Sequence, residues 1–253
     1  MGVPGGEMGE KSGAGTRPGK SVGAVVVGTG PDVAGIGPVE DVLLWTLLAG
    51  HPMVSWSLRA LAGVQRISEI VLLVAPGREA AVAQLEAQFD LRVTVLPATA
   101  GDSLLAGLEI LSPRCDLILF HYGNRPLISA SSINRGITVA EEHPGSGVVA
   151  SEPVRDTIKR ADSSLVVETP PRSELVLLQS PQIYPRDLIR VYLAQQASAE
   201  PVPRGATYPE LVWMAAGLPL LPFYFSGEND REGLIVSSED DLLLAEVSLG
   251  ERG

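Results

Sequence analysis

The chain has 253 residues, 45% hydrophobic and 19% charged, with a formal net charge of −11. That is enough for one large domain with its own core. The acidic balance disfavours nucleic acid, whose binding depends on phosphate neutralisation, and works equally against casual capture of a free nucleotide.

Residues 1–19 are rich in glycine and polar groups and lack the hydrophobic region of a signal peptide, so a disordered tail is expected ahead of a domain over 20–253. Val22–Val27 is a continuous apolar run and predicts a buried first strand. Val54, Leu58 and Leu61 recur at helical spacing. Glu69–Val74 predicts a second strand, and an alanine-rich helix follows to about Phe89. Arg92–Leu96 alternates as a short third strand, Asp102–Leu111 predicts a helix, and Asp116–Phe120 a fourth strand. A helix over Ser129–Glu142 leads to a fifth strand starting at Gly147–Ala150.

Strands alternating with helices imply a Rossmann-like α/β fold, a mainly parallel sheet covered on both faces. Residues 154–178 break that rhythm. They carry a Pro170-Pro171 pair and no helical period, and predict an extended arm outside the main sheet. Pro185–Gln196 and Glu210–Ala216 predict helices, with a late strand over Leu218–Phe225. Ser238-Glu-Asp-Asp241 is a capping-box-like start for a last helix through Leu249. No apolar run approaches the ~18 residues of a membrane span. The single cysteine, Cys115, allows no internal disulfide and fits a reducing cytoplasm.

Gly28-Thr-Gly30 stands where glycine amides after a first strand can cradle a phosphate. Its neighbours oppose that use. Asp32, Glu40 and Asp41 are acidic, and no cation occurs between Lys20 and Arg59. A carboxylate about 4 Å from a phosphate costs about 4 kcal/mol at an effective dielectric near 20. A plain surface loop is the favoured reading. Ser103 opens a helix, either as a cap or as a hydroxyl lining a base pocket. His121, at the end of the fourth strand, falls on the edge where such sheets bind ligands, and is expected to be a structural hydrogen-bonder. No cluster of His and Cys points to a metal site. Asp156, Thr157, Lys159 and Arg160, with Arg172 following, make a dense polar cluster in the arm. They are either solvated charges or donors converging on a phosphate.

The stretches Pro153-Val-Arg-Asp-Thr-Ile-Lys159 and Gln179-Ser-Pro-Gln-Ile-Tyr184 resemble the arm and active-site signatures of the 2-C-methyl-D-erythritol 4-phosphate cytidylyltransferases and their pentitol-phosphate relatives. Gly50-His-Pro52, the helix start at Gly101–Leu108, the His121…Arg125-Pro126 frame and Asp241-Leu-Leu-Leu-Ala-Glu246 fall in the same order. The resemblance spans roughly Ser21 to Leu249. It implies a homodimer whose arms embrace, with Thr157 and Arg172 at the arm positions that contact methylerythritol phosphate in the facing subunit. For an active member it also implies CTP and Mg²⁺.

The positions that would hold the nucleotide do not follow. The family's glycine-loop arginine falls on Asp32, its catalytic lysine on Leu43, and an arginine before Ser103 on Ala100. One aspartate falls on Tyr122 and another on Tyr208. The late lysine falls on Ile235 and the asparagine before it on Gly233. Lys159 is the only lysine between Ser21 and Gly253. Cytidylyl transfer is mostly positioning plus neutralisation of developing charge by Lys, Arg and Mg²⁺. The first expectation is therefore a catalytically impaired, cytoplasmic homologue in or beside the non-mevalonate isoprenoid route. It would be a homodimer through its arm, or would pair with an active paralogue. Two alternatives stay open. One is an active transferase with cations relocated to Arg125, Arg155 and Arg160 and a metal on Asp32 or Asp241. The other is a sugar-phosphate-binding module without transfer chemistry.

Overall fold

The computed structural model describes residues 20–28, 41–89, 93–97, 103–198, 209–225 and 231–250. The tail over 1–19, Gly30, Asp32, Ala100 and Tyr208 lie outside them.

In chain order the elements begin with β1 (Val22–Val27), α1 (Asp41–Trp45), β2 (Leu47–Leu48), β3 (His51–Pro52), α2 (Met53–Ala62), β4 (Ile67–Val74), α3 (Glu79–Phe89) and β5 (Thr94–Pro97). Then come α4 (Ser103–Ile110), β6 (Leu117–Tyr122), α5 (Ala130–Glu142), β7 (Gly147–Pro153), β8 (Arg160–Asp162) and β9 (Leu165–Glu168). The chain closes with β10 (Val176–Pro185), α6 (Arg186–Ser198), α7 (Pro209–Ala215), β11 (Leu220–Tyr224) and α8 (Glu239–Gly250).

One seven-stranded sheet runs β11-β7-β10-β6-β1-β4-β5. β1 pairs in parallel with both β4 and β6, which explains why all six of its residues are buried. Its side chains alternate between two cores. Val22, Ala24 and Val26 pack with α2, α5 and Ala245 of α8; Val25 and Val27 pack with Leu108, Ile189, Leu193 and Trp213 from α4, α6 and α7. Helices thus cover both faces, as the strand–helix alternation requires. Helix ends are tied down by polar side chains. Ser129 Oγ caps α5 by accepting from the Ser132 amide at 3.1 Å. Arg186 closes the C-terminal end of α4 by donating to the carbonyls of Leu108 at 3.1 Å and Leu111 at 2.9 Å.

The structure differs from the sequence expectation around the arm. Val176–Leu178 is not arm but the start of β10, paired with Ser151–Pro153 of β7. β10 runs antiparallel to both β6 and β7 in the middle of the sheet. A strand interrupted by Gln179, Ser180 and Pro181 has no clean period of two, so residue patterning missed it. What leaves the sheet is the β8–β9 hairpin with a 3-10 turn at Arg172–Glu174. It springs from the edge where β7 ends and β10 begins. The short β2–β3 hairpin was not foreseen either. Among the described residues no helix is long and apolar enough to cross a membrane.

Candidate functional site

Seven strand ends meet along one edge of the sheet: the carboxyl ends of β1, β4, β5, β6, β7 and β11, and the start of β10. The residues after β6 turn back at Gly123–Arg125, and the segment 231–236 lies over that turn, with the Val236 amide donating to the Asn124 carbonyl at 2.9 Å.

Arg125 is the centre of this edge. It is 1% exposed. Its Nη1 donates to Gln179 Oε1 at the bend in β10, and to the Gly233 carbonyl at 2.7 Å. One side chain therefore joins β6, β10 and the late segment. Its backbone carbonyl is held as well, accepting from Ser57 Oγ on α2 at 3.1 Å.

His121 sits beneath it in a chain of hydroxyls. Ser57 spends its proton on Arg125, so His121 Nε2 donates to Ser57 Oγ at 3.3 Å. Nδ1 then accepts from Ser180 Oγ at 3.0 Å, and that oxygen accepts from the Tyr122 amide at 3.3 Å. The imidazole is neutral in this arrangement. Burial pushes its pKa down to about 3, and the nearby Arg125 charge pushes the same way. His121 is a structural hydrogen-bonder, not a base facing the edge. Ser57 and Ser180 complete the network. Only their distance from one another in sequence hid them.

The positions named for a nucleotide are dispersed or apolar. The Gly28 amide donates to Leu73 O at 2.8 Å, and a Cβ at Gly28 would collide with that same carbonyl, so this glycine is required by the close approach of β4. Leu43, on α1, packs half-buried against the core. Tyr122 closes β6 and touches both cores. Ile235 is half-buried in the late segment. Ser103 begins α4, and its side chain lies outside the described atoms.

In the arm, Thr157, Lys159 and Arg172 are all exposed. Lys159 Nζ donates to Thr169 Oγ1 at 2.7 Å, and Arg172 Nη1 reaches the Arg155 carbonyl at 3.3 Å. Arg160 pairs with Glu168 across β8 and β9, with Nε to Oε2 at 2.6 Å.

Mg²⁺ bound to a triphosphate would need carboxylates and cations converging on this edge. Among the described residues no group of three or more His, Cys, Asp or Glu could hold a metal. Asp241 is committed to the start of α8. Its Oδ2 accepts from the Ser237 amide and hydroxyl at 3.0 Å and from Ser238 Oγ at 2.8 Å. Partial burial raises the Asp241 carboxyl, but these bonds together outweigh it and hold it below its ordinary range. Leu43, Tyr122 and Ile235 supply no charge.

A seven-stranded mixed sheet, covered on both faces and carrying an arm between β7 and β10, defines an α/β fold of the nucleotidyltransferase kind. Solved structures agree on it. The chain is similar to the 4-diphosphocytidyl-2C-methyl-D-erythritol synthase of Anaerococcus prevotii, with TM-score 0.76 and 20% identity over 92% of this chain and 100% of that one. It is likewise similar to the Thermus thermophilus 2-C-methyl-D-erythritol 4-phosphate cytidylyltransferase, with TM-score 0.65 and 22% identity over 91% and 98% of the two chains. A family model described as 2-C-methyl-D-erythritol 4-phosphate cytidylyltransferase matches residues 34–251. The protein of that name from Alkaliphilus metalliredigens is 30% identical over 215 residues, 82% of this chain and 85% of its own. The one from Dehalococcoides mccartyi is 28% identical over 235 residues, 91% and 96% of the two chains. The chain belongs to the 2-C-methyl-D-erythritol 4-phosphate cytidylyltransferase family.

Proposed function

We propose that this chain is a divergent member of its family in which cytidylyl transfer is impaired and assembly through the arm is kept. It would act in or beside the non-mevalonate isoprenoid route, as a partner subunit rather than as a transferase. Leu43 carries the reading. The residue type at that position packs against the core and offers no cation to a triphosphate. Lys159, the only lysine after Lys20, is in the arm and bonded to Thr169. A phosphoryl-type transition state without fixed cations loses most of its stabilisation.

The arm supports the assembly half. Ile158, Leu165, Val166 and Val167 are exposed there, and Val176 and Leu177 are exposed at its root. Apolar surface of this extent on a projecting hairpin calls for cover, and the family resemblance makes a second copy, or an active paralogue, the occupant. Thr157, Lys159 and Arg172 would then lie on the arm at the junction with the partner and offer a phosphate its donors.

The test is to incubate the purified protein with CTP, Mg²⁺ and methylerythritol phosphate and follow pyrophosphate. Release at background level is expected; robust turnover overturns the reading. Light scattering should show a dimer, and a monomer at micromolar concentration would remove the assembly half.

A further inference from the structure

The late segment crosses the sheet edge with no side chain at Gly233, and the room left there is taken. A Cβ added at Gly233 would land on Glu152 Oε1, and would stand 3.1 Å from the Glu152 carboxyl carbon and 3.1 Å from the Phe225 ring. The carbonyl of that same glycine accepts from Arg125 Nη1 at 2.7 Å. Glu152 is the penultimate residue of β7, opposite Leu177 of β10, where the edge passes into the arm. Its carboxylate is thus seated in the corner formed by β7, the late segment and the residue that Arg125 holds.

We propose that Glu152 determines which ligand this edge accepts: a carboxylate lodged in the space beside Gly233 excludes phosphate and admits an uncharged, hydroxyl-bearing molecule. The proposal rests on the expectation that a sheet of this kind takes its ligand at the carboxyl ends of its strands. A carboxylate only accepts hydrogen bonds, so it can serve hydroxyl donors and has nothing to give a phosphate oxygen. At short range it also repels the phosphate charge. Arg125 meanwhile gives Nη1 bonds to Gln179 and Gly233. The arrangement involves both Glu152 and Gly233, because a side chain at 233 would make the Glu152 carboxylate shift.

The two variants to compare with the wild-type chain follow from that geometry. Glu152→Gln keeps the shape and removes the charge. Gly233→Ala keeps Glu152 but displaces its carboxylate from its present seat. Each protein is titrated calorimetrically with methylerythritol and with methylerythritol 4-phosphate, without nucleotide. Both variants are expected to bind the phosphate at least tenfold more tightly than the wild type, while affinity for the neutral polyol changes less than threefold. Equal phosphate affinity in wild type and Glu152→Gln, or no binding of either compound by any of the three, overturns the proposal. A phosphate held by the arm alone would be untouched by Glu152→Gln and so counts against it. Pyrophosphate release forms no part of this readout, so turnover by the wild type would remove the preceding proposal and leave this comparison standing.

Discussion

At the β1 end of the sheet edge, Gly28 gives its amide to Leu73 and Leu43 packs against the core; at the β6–β10 end, Arg125, His121, Gln179, Ser57 and Ser180 are wired to one another. The first region has become part of the fold's apolar support. The second stays polar because its side chains hydrogen-bond to one another and to backbone carbonyls brought in from other segments. A charge whose partner is a ligand can be replaced at no cost to folding. A charge that holds three segments together cannot be.

The largest break in that contrast should come from Arg125→Ala. It strands the buried Gly233 carbonyl and removes the donor from the half-buried Gln179 Oε1, and should cost about 3 kcal/mol in urea unfolding. Arg125→Lys should recover little of it, because an ammonium cannot reproduce the fork of a guanidinium.

Acid should probe the same network. His121 has its pKa lowered to about 3 in the folded protein from an ordinary 6.5. Between those values the unfolded chain binds the extra proton. The His121 contribution is therefore fully present above pH 6.5 and lost as pH falls towards 3, with a slope of up to about 1.4 kcal/mol per unit. Melting curves from pH 7 to pH 4 should fall more steeply for the wild type than for His121→Gln.

At the apolar end, Leu43→Lys should cost only about 1 kcal/mol, since a half-buried lysine stem can still cover the core while its head reaches water. It should leave pyrophosphate release at background, because one restored cation does not rebuild the set. Ser238→Ala should cost about 1 kcal/mol by removing the α8 cap, and should also let the Asp241 carboxyl rise. The smallest effect belongs to the arm. Arg160→Ala breaks a pair whose side chains are 68% and 46% exposed, and should change stability by less than about 0.5 kcal/mol.

Much of the layout could be read from residue order. Val22–Val27, Glu69–Val74 and Asp116–Phe120 are unbroken apolar runs, and a strand buried on both faces has no other way to look. The α8 start was legible because its cap is local: Ser238 and Asp241 are three residues apart. β10 was not legible as a strand, because Gln179-Ser-Pro181 interrupts its pattern and its partners lie far off along the chain. The site divides the same way. The scarcity of lysine was plain from the sequence, since Lys159 is the only one after Lys20.

What the chain alone determined is thus the alternation of strands and helices, its family, and the scarcity of lysine beyond residue 20. Only the folded arrangement decided that Arg125 is spent on Gln179 and Gly233, that His121 is neutral between two serines, and that Glu152 fills the gap beside Gly233. Apolar period and local caps are short-range and are written in neighbouring residues. Hydrogen-bond satisfaction and shared space join residues tens to a hundred positions apart, and they exist only once the sheet has brought those residues to one edge.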